Sequence, residues 1–143
     1  MGLYDSFKTD PEVERKGILL DYGSFRIRIA RAGGANKRFL KVLDHKTRPY
    51  KQALKAEQLD EDIADSVMAE VYADAVILGW ETKVDGQFKS GIESETGELL
   101  PFTAQNVTKT LLALPELFAD IRQQSSQFQN FRALQREDDA KNS

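Results

Sequence analysis

The stretch DEDIADSVMAEVYADAVILGW, Asp60–Trp80, decides how the rest of the chain is arranged. Its first turn is acidic, which suits the partial positive charge at a helix N-terminus. Ile63, Val67, Val71 and Leu78 recur at helical spacing. Met68, Tyr72, Ala75 and Val76 widen that stripe until most of the surface is apolar. The pattern predicts one central helix, largely buried, ended by Gly79-Trp80.

Toward the N-terminus, GILLDYGSFRIRIA (Gly17–Ala30) predicts a β-hairpin turning at Tyr22-Gly23-Ser24. Phe25, Ile27 and Ile29 alternate with Arg26 and Arg28, so one face is apolar and the other basic, with Arg31 at its end. RAGGANKRF (Arg31–Phe39) then turns from strand to helix, with Asn36 placed to cap a helix through about Lys46. Pro49 stands where a further helix begins.

Toward the C-terminus, Glu81–Leu100 holds two turn signals, Asp85-Gly86 and Thr96-Gly97, and a short hairpin fits there with Val84 and Phe88 beside its turn. Thr103 is placed as an N-cap, and Leu111, Leu112 and Leu114 supply the apolar side of the next helix. Pro115 breaks it before a last helix bearing Leu117, Ile121 and Phe128. Residues 133–143 read as a flexible polar tail. The expected class is α+β, mainly a helical bundle of about four or five helices with a small N-terminal β-hairpin, residues 1–132 forming a single globular domain.

With 143 residues, 41% hydrophobic and 30% charged, the chain is long enough to bury a core and too apolar for wholesale disorder. It has no cysteine, which excludes disulfides and thiolate metal sites. The N-terminus lacks the pattern of a secretory signal, and no apolar run approaches the roughly 18 to 20 residues of a membrane span. A soluble protein without a membrane partner is expected. Met1-Gly2 with Ser6 matches only the outline of a myristoylation signal and is read as an ordinary start. Charge is uneven. Residues 1–56 carry 13 Lys and Arg against 6 Asp and Glu, whereas residues 57–143 carry 7 against 17. Such asymmetry suits head-to-tail association between copies or docking on a partner of mixed charge, though solvated faces of opposite sign account for it as well or better.

Little here points to catalysis. His45 is the only histidine, and on a helix its neighbour Asp44 faces another direction. Glu61, Asp62 and Asp65 serve the helix dipole, and the segment lacks the glycine and terminal glutamate of a calcium loop. No catalytic residue, metal site or cofactor site is assigned. The Gly33-Gly34 pair matches neither a P-loop nor a G-x-G-x-x-G fingerprint. Nucleic-acid binding would draw on Arg26, Arg28, Arg31, Lys37, Arg38 and Lys41 with Phe39 and Tyr50 for stacking. A sequence pI near 5.3 weighs against it, and the same basic surface suits an acidic protein partner.

The order of several segments carries a resemblance: LYDSF, RAGGANKRF, RPYKQAL, EVYADAVILGWE, a loop ending LLPFT, and LLALPELFADIRQQSSQFQNFR. From Leu3 to Arg132 the chain resembles the tail assembly chaperones of long-tailed bacteriophages. Its loop over residues 82–98 looks longer than the usual pattern. The resemblance implies a small, largely helical, non-enzymatic helper without cofactor. Such a helper self-associates, coats the helical tape measure protein before the tail tube polymerises, and leaves before the virion is complete. It implies the cytoplasm of an infected bacterium as the place of action, with the tail tube protein as a further candidate partner. On charge, nucleic acid is not expected as a partner. Phe118, Phe128 and Phe131 on the last stripe, and Trp80 at the end of the central helix, are candidate contacts for an amphipathic partner; each also reads as core, and for Trp80 the core reading is the stronger. Arg26, Arg28, Lys37 and Lys41 are the candidate basic docking residues. A structural protein of the tail tube or head–tail junction, and a nucleic-acid-binding module, are the alternatives.

Overall fold

The computed structural model describes residues 2–132. Two short helices, α1 (Leu3–Phe7) and α2 (Pro11–Lys16), lead into strands β1 (Ile18–Asp21) and β2 (Phe25–Ile29). Helix α3 (Lys37–Thr47) is followed by a 3-10 turn at Arg48–Tyr50 and by α4 (Lys51–Lys55). Next come α5 (Glu61–Ala75), β3 (Ile77–Val84), β4 (Gln87–Ser90), β5 (Ile92–Glu93) and β6 (Leu99–Leu100). Helices α6 (Ala104–Ala113) and α7 (Pro115–Ser126) and a 3-10 turn at Phe128–Phe131 complete the described chain.

The helix in Asp60–Trp80 stops at Ala75, and from Ile77 onward the chain is strand. Asp60 caps α5, its carboxylate accepting the Asp62 N–H at 2.8 Å. Ala69, Val71, Tyr72, Ala73 and Ala75 bury the helix between α3 and α6. Val76 then leaves the helix at φ −115°, and its carbonyl accepts from Ala30 N–H at 2.8 Å. Along β3 both Ile77 and Trp80 are buried while Leu78 is exposed. Two residues three apart cannot share one face of a regular strand. A bulge resolves this: Arg28 pairs with Gly79 and Ile29 with Ile77, leaving Leu78 as the extra residue.

Strand β3 is thus an inner strand of a four-stranded antiparallel sheet of order β1-β2-β3-β4. The expected architecture is corrected accordingly. The class is mixed α+β, and the hairpin is half of a sheet rather than an appendage to a helical bundle. Asp85 at φ 52° and Gly86 at φ 81° make the tight turn between β3 and β4 at the predicted position. Strands β5 and β6 pair separately around the Thr96-Gly97 turn. One sheet face, with Ile18, Ile27, Ile29, Ile77 and Trp80, joins Phe39, Val71, Leu111, Phe118 and Ile121 of the helices in one core. Ile27 and Ile29 are almost wholly buried, each worth about 2 kcal/mol of transfer free energy. The other face carries Leu19, Arg26, Arg28, Glu81, Lys83 and Phe88 toward solvent. The tail predicted at 133–143 lies outside the described residues.

Candidate binding surface

The corner Arg31–Phe39 is built from inside. Glu14 on α2 is only 3% exposed, and its Oε2 accepts from Arg31 Nη1 at 3.0 Å and from Ala35 N–H at 2.9 Å. Burial by itself would raise the pKa of this carboxyl. Hydrogen bonds from Thr9, the Ala35 N–H and Arg31, with the charge of Arg31, outweigh it and hold the pKa below the ordinary value. Gly34 stands at φ 54°, and a Cβ there would run into the Glu14 carboxylate. Asn36 occupies the N-cap position of α3 without capping it. Its side chain, 6% exposed, turns inward and donates to Arg31 O at 2.8 Å and Ala75 O at 2.9 Å. It therefore ties the corner to the end of α5, a correction to the cap read from sequence. Arg31 is thereby a structural ion-pair partner rather than part of a basic docking face.

The four basic candidates fall on two surfaces. Arg26 and Arg28 stand on the uncovered sheet face, whereas Lys37 and Lys41 are exposed on α3, which packs against α5 on the covered side. Arg26 forms an ion pair with Glu81, its partner across β3, and its guanidinium lies 3.7 Å from the centre of the Phe88 ring. Arg28 Nη1 donates to Gly17 O at 3.3 Å. On α3, Asp44 pairs with Arg48 and Lys51, which hold its pKa below the usual carboxylate value. Beside it, His45 is exposed.

The aromatic candidates are mostly core. Trp80 is 6% exposed, donates Nε1–H to Leu100 O at 3.1 Å, and meets Phe102 edge to face. Phe118 packs edge to face on Tyr72, and Phe131 is fully buried. Phe128 is half-buried in a 3-10 turn beyond α7, stacked on Phe7 with ring centres 5.5 Å apart. Trp80, Phe118 and Phe131 therefore offer no free contact surface in this chain. Two features escape the sequence reading. Leu3, Tyr4 and Phe7 of α1 are exposed, by 71%, 78% and 62%. On the open sheet face a shallow depression of about 310 Å³ is lined by Leu19, Arg26, Arg28, Leu78, Glu81 and Ser90. The i, i+1, i+4 spacing of the first and the Ile-Leu-Leu run of β1 were the available signals.

The open sheet face thus carries apolar and basic side chains together, and α1 presents apolar side chains to solvent. Residues 34–142 match the model of the YdaY prophage protein family. The match takes in well over half of the chain, so the chain belongs to that family and is of phage origin. It leaves α1, α2 and the β1–β2 hairpin outside the matched region. No curated protein and no solved structure matches the chain. Among the described residues no helix is long and apolar enough to cross a membrane.

Proposed function

We propose that this prophage protein is a non-enzymatic tail assembly chaperone that binds the tape measure protein and itself during tail morphogenesis, acting in the cytoplasm of the infected cell. The observation that carries the reading is the exposed apolar surface. Leu19 and Leu78 on the open sheet face, and Leu3, Tyr4 and Phe7 on α1, lie exposed in the isolated chain. A long helical tape measure protein presents apolar stripes of its own before the tail tube encloses it. Masking such stripes by laying them against an apolar surface uses the helix-in-groove mode of recognition. The phage family and the order of motifs shared with tail assembly chaperones support the same reading. The burial of Trp80, Phe118 and Phe131 moves the candidate contact surface away from those residues and onto the sheet and α1.

A structural role at the tail tube or head–tail junction is the second reading, since the same surfaces would serve a permanent assembly. Mass spectrometry of purified virions separates the two. A chaperone is absent from the particle, and a stoichiometric presence there would overturn the proposal. Nucleic-acid binding is less well supported, because Glu81 and Phe88 already engage Arg26, and Arg26 and Arg28 do not share a surface with Lys37 and Lys41.

A further inference from the structure

β1 is the outer strand of the four-stranded sheet, and β2 is its one strand neighbour among the described residues. Tyr22 N–H donates to Phe25 O at 2.9 Å and closes the hairpin. In an antiparallel ladder, bonded pairs alternate with non-bonded ones. Leu20–Ile27 and Ile18–Ile29 are therefore the bonded pairs, and Leu19–Arg28 and Asp21–Arg26 are not. The N–H and C=O groups of Leu19 and Asp21 consequently point off the edge of the sheet. Exposed edges are ordinarily blunted by lysine, proline or a bulge. β1 reads Ile-Leu-Leu-Asp and has none of these on its outer side.

The open face beside this edge is charged in a particular order. Arg28 reaches along β1 to the carbonyl of Gly17, at the start of the strand. Asp21 lies at the other end, exposed, with its carboxylate accepting only the local Gly23 N–H at 2.8 Å. Neither Arg28 nor Asp21 belongs to an ion pair among the described residues. Leu19, between them, is 39% exposed.

We infer that β1 pairs antiparallel with β1 of a second copy, Leu19 opposite Leu19, so that the two sheets become one. The edge is complementary to itself. About a two-fold axis the two Leu19 residues exchange their outward backbone bonds and bring their side chains together. In that register Asp21 of each copy comes opposite Gly17 of the other, where the Arg28 guanidinium is already held. A foreign extended peptide would satisfy the same backbone groups, but nothing requires it to carry an acid at that position, whereas β1 itself does. The inference deepens the self-association in the proposed function and is independent of the tape measure protein.

The test uses the purified full chain alone, so its failure would leave binding to the tape measure protein untouched. Sedimentation equilibrium should show a dimer, and the amides of Leu19 and Asp21 should gain protection from hydrogen exchange as concentration rises. Leu19→Lys should weaken the dimer. Asp21→Lys and Arg28→Glu, each counted twice by symmetry, should each weaken it roughly tenfold. The Asp21→Lys/Arg28→Glu double variant should regain most of the loss. Circular dichroism checks that each variant folds, and the exchange measurement on the unmodified chain stands if one does not. A monomer throughout, protection of Leu19 and Asp21 that ignores concentration, or a dimer indifferent to all these changes would each overturn the inference.

Discussion

Arg31 Nη1 lies 3.0 Å from Oε2 of Glu14, so an ion pair with a buried carboxylate locks the corner between sheet and helix from within. Removing the carboxylate leaves a largely buried guanidinium and the Ala35 N–H without their partner. Glu14→Ala should cost about 3 kcal/mol and Glu14→Gln, which keeps the shape and one acceptor, about half of that. Urea unfolding measures both. Variants as stable as the parent chain would show that the pair does not hold the corner.

The same carboxyl makes the fold sensitive to acid. Its folded pKa lies below its ordinary value of 4.5. The native state therefore favours the ionised form, and that stabilisation is complete above the unfolded value and lost as pH falls through the folded one. Stability should decline below about pH 4.5 in the parent chain, and less steeply in Glu14→Gln. Denaturation midpoints at pH 3 to 6 in both proteins decide it; parallel curves would assign the acid sensitivity to other carboxylates.

At the alkaline end the sensitive group is Tyr22. Its hydroxyl donates to Asp120 Oδ2 at 2.6 Å, joining the first hairpin to α7. Burial, then the hydrogen bond and charge of Asp120, raise its pKa well above the ordinary 10.0. The folded state favours the neutral phenol, so this contribution is intact below pH 10 and is lost as pH rises through the folded value. Tyr22→Phe should cost about 1 kcal/mol at neutral pH and flatten the loss of stability above pH 10. An unchanged alkaline slope would remove Tyr22 from the account.

Two glycines make a contrasting pair. At Gly34 the backbone is left-handed and a Cβ collides with the Glu14 carboxylate, whereas at Gly79 the space beside the strand is open. Gly34→Ala should lose about 1–3 kcal/mol, while Gly79→Ala should stay within about 0.5 kcal/mol of the parent. Equal effects would mean that the corner tolerates a rearranged Glu14.

Trp80 is the sole tryptophan, buried, with its indole N–H held by Leu100 O. Trp80→Ala should cost about 3–5 kcal/mol, as removal of a large core aromatic does. Trp80→Phe should fold and, below its lowered midpoint, bind partners as the parent does. Loss of binding by a folded Trp80→Phe protein would return this residue to the contact surface.

The elements legible in the sequence are those with one period and local turn chemistry. Phe25, Ile27 and Ile29 alternate cleanly, Asp85-Gly86 is a turn dipeptide, and Thr103 caps α6 by accepting the Asn106 N–H. Strand β3 is hidden because Ile77 and Trp80 sit three apart, which is a helical spacing unless a bulge at Leu78 intervenes, and a bulge requires a partner strand to define it. Asn36 reads as a cap because its position is right, but the carbonyls that claim its side chain come from Arg31 and Ala75, the latter 39 residues away. Glu14 reads as one acid in the run PEVERK, and only folding places it beneath Gly34. Of the candidate surface, Arg26 and Arg28 are legible from alternation. The exposure of Leu19 and Leu78 depends on which faces the helices cover.

Whether this chain masks the tape measure protein is decided by co-expression. The long helical tape measure protein of the same prophage should be produced with and without a tagged copy of this chain, and its soluble fraction and co-elution on the tag measured. It should aggregate alone and be soluble and co-purified when this chain is present. Equal solubility in both cultures, with no co-elution, would contradict it.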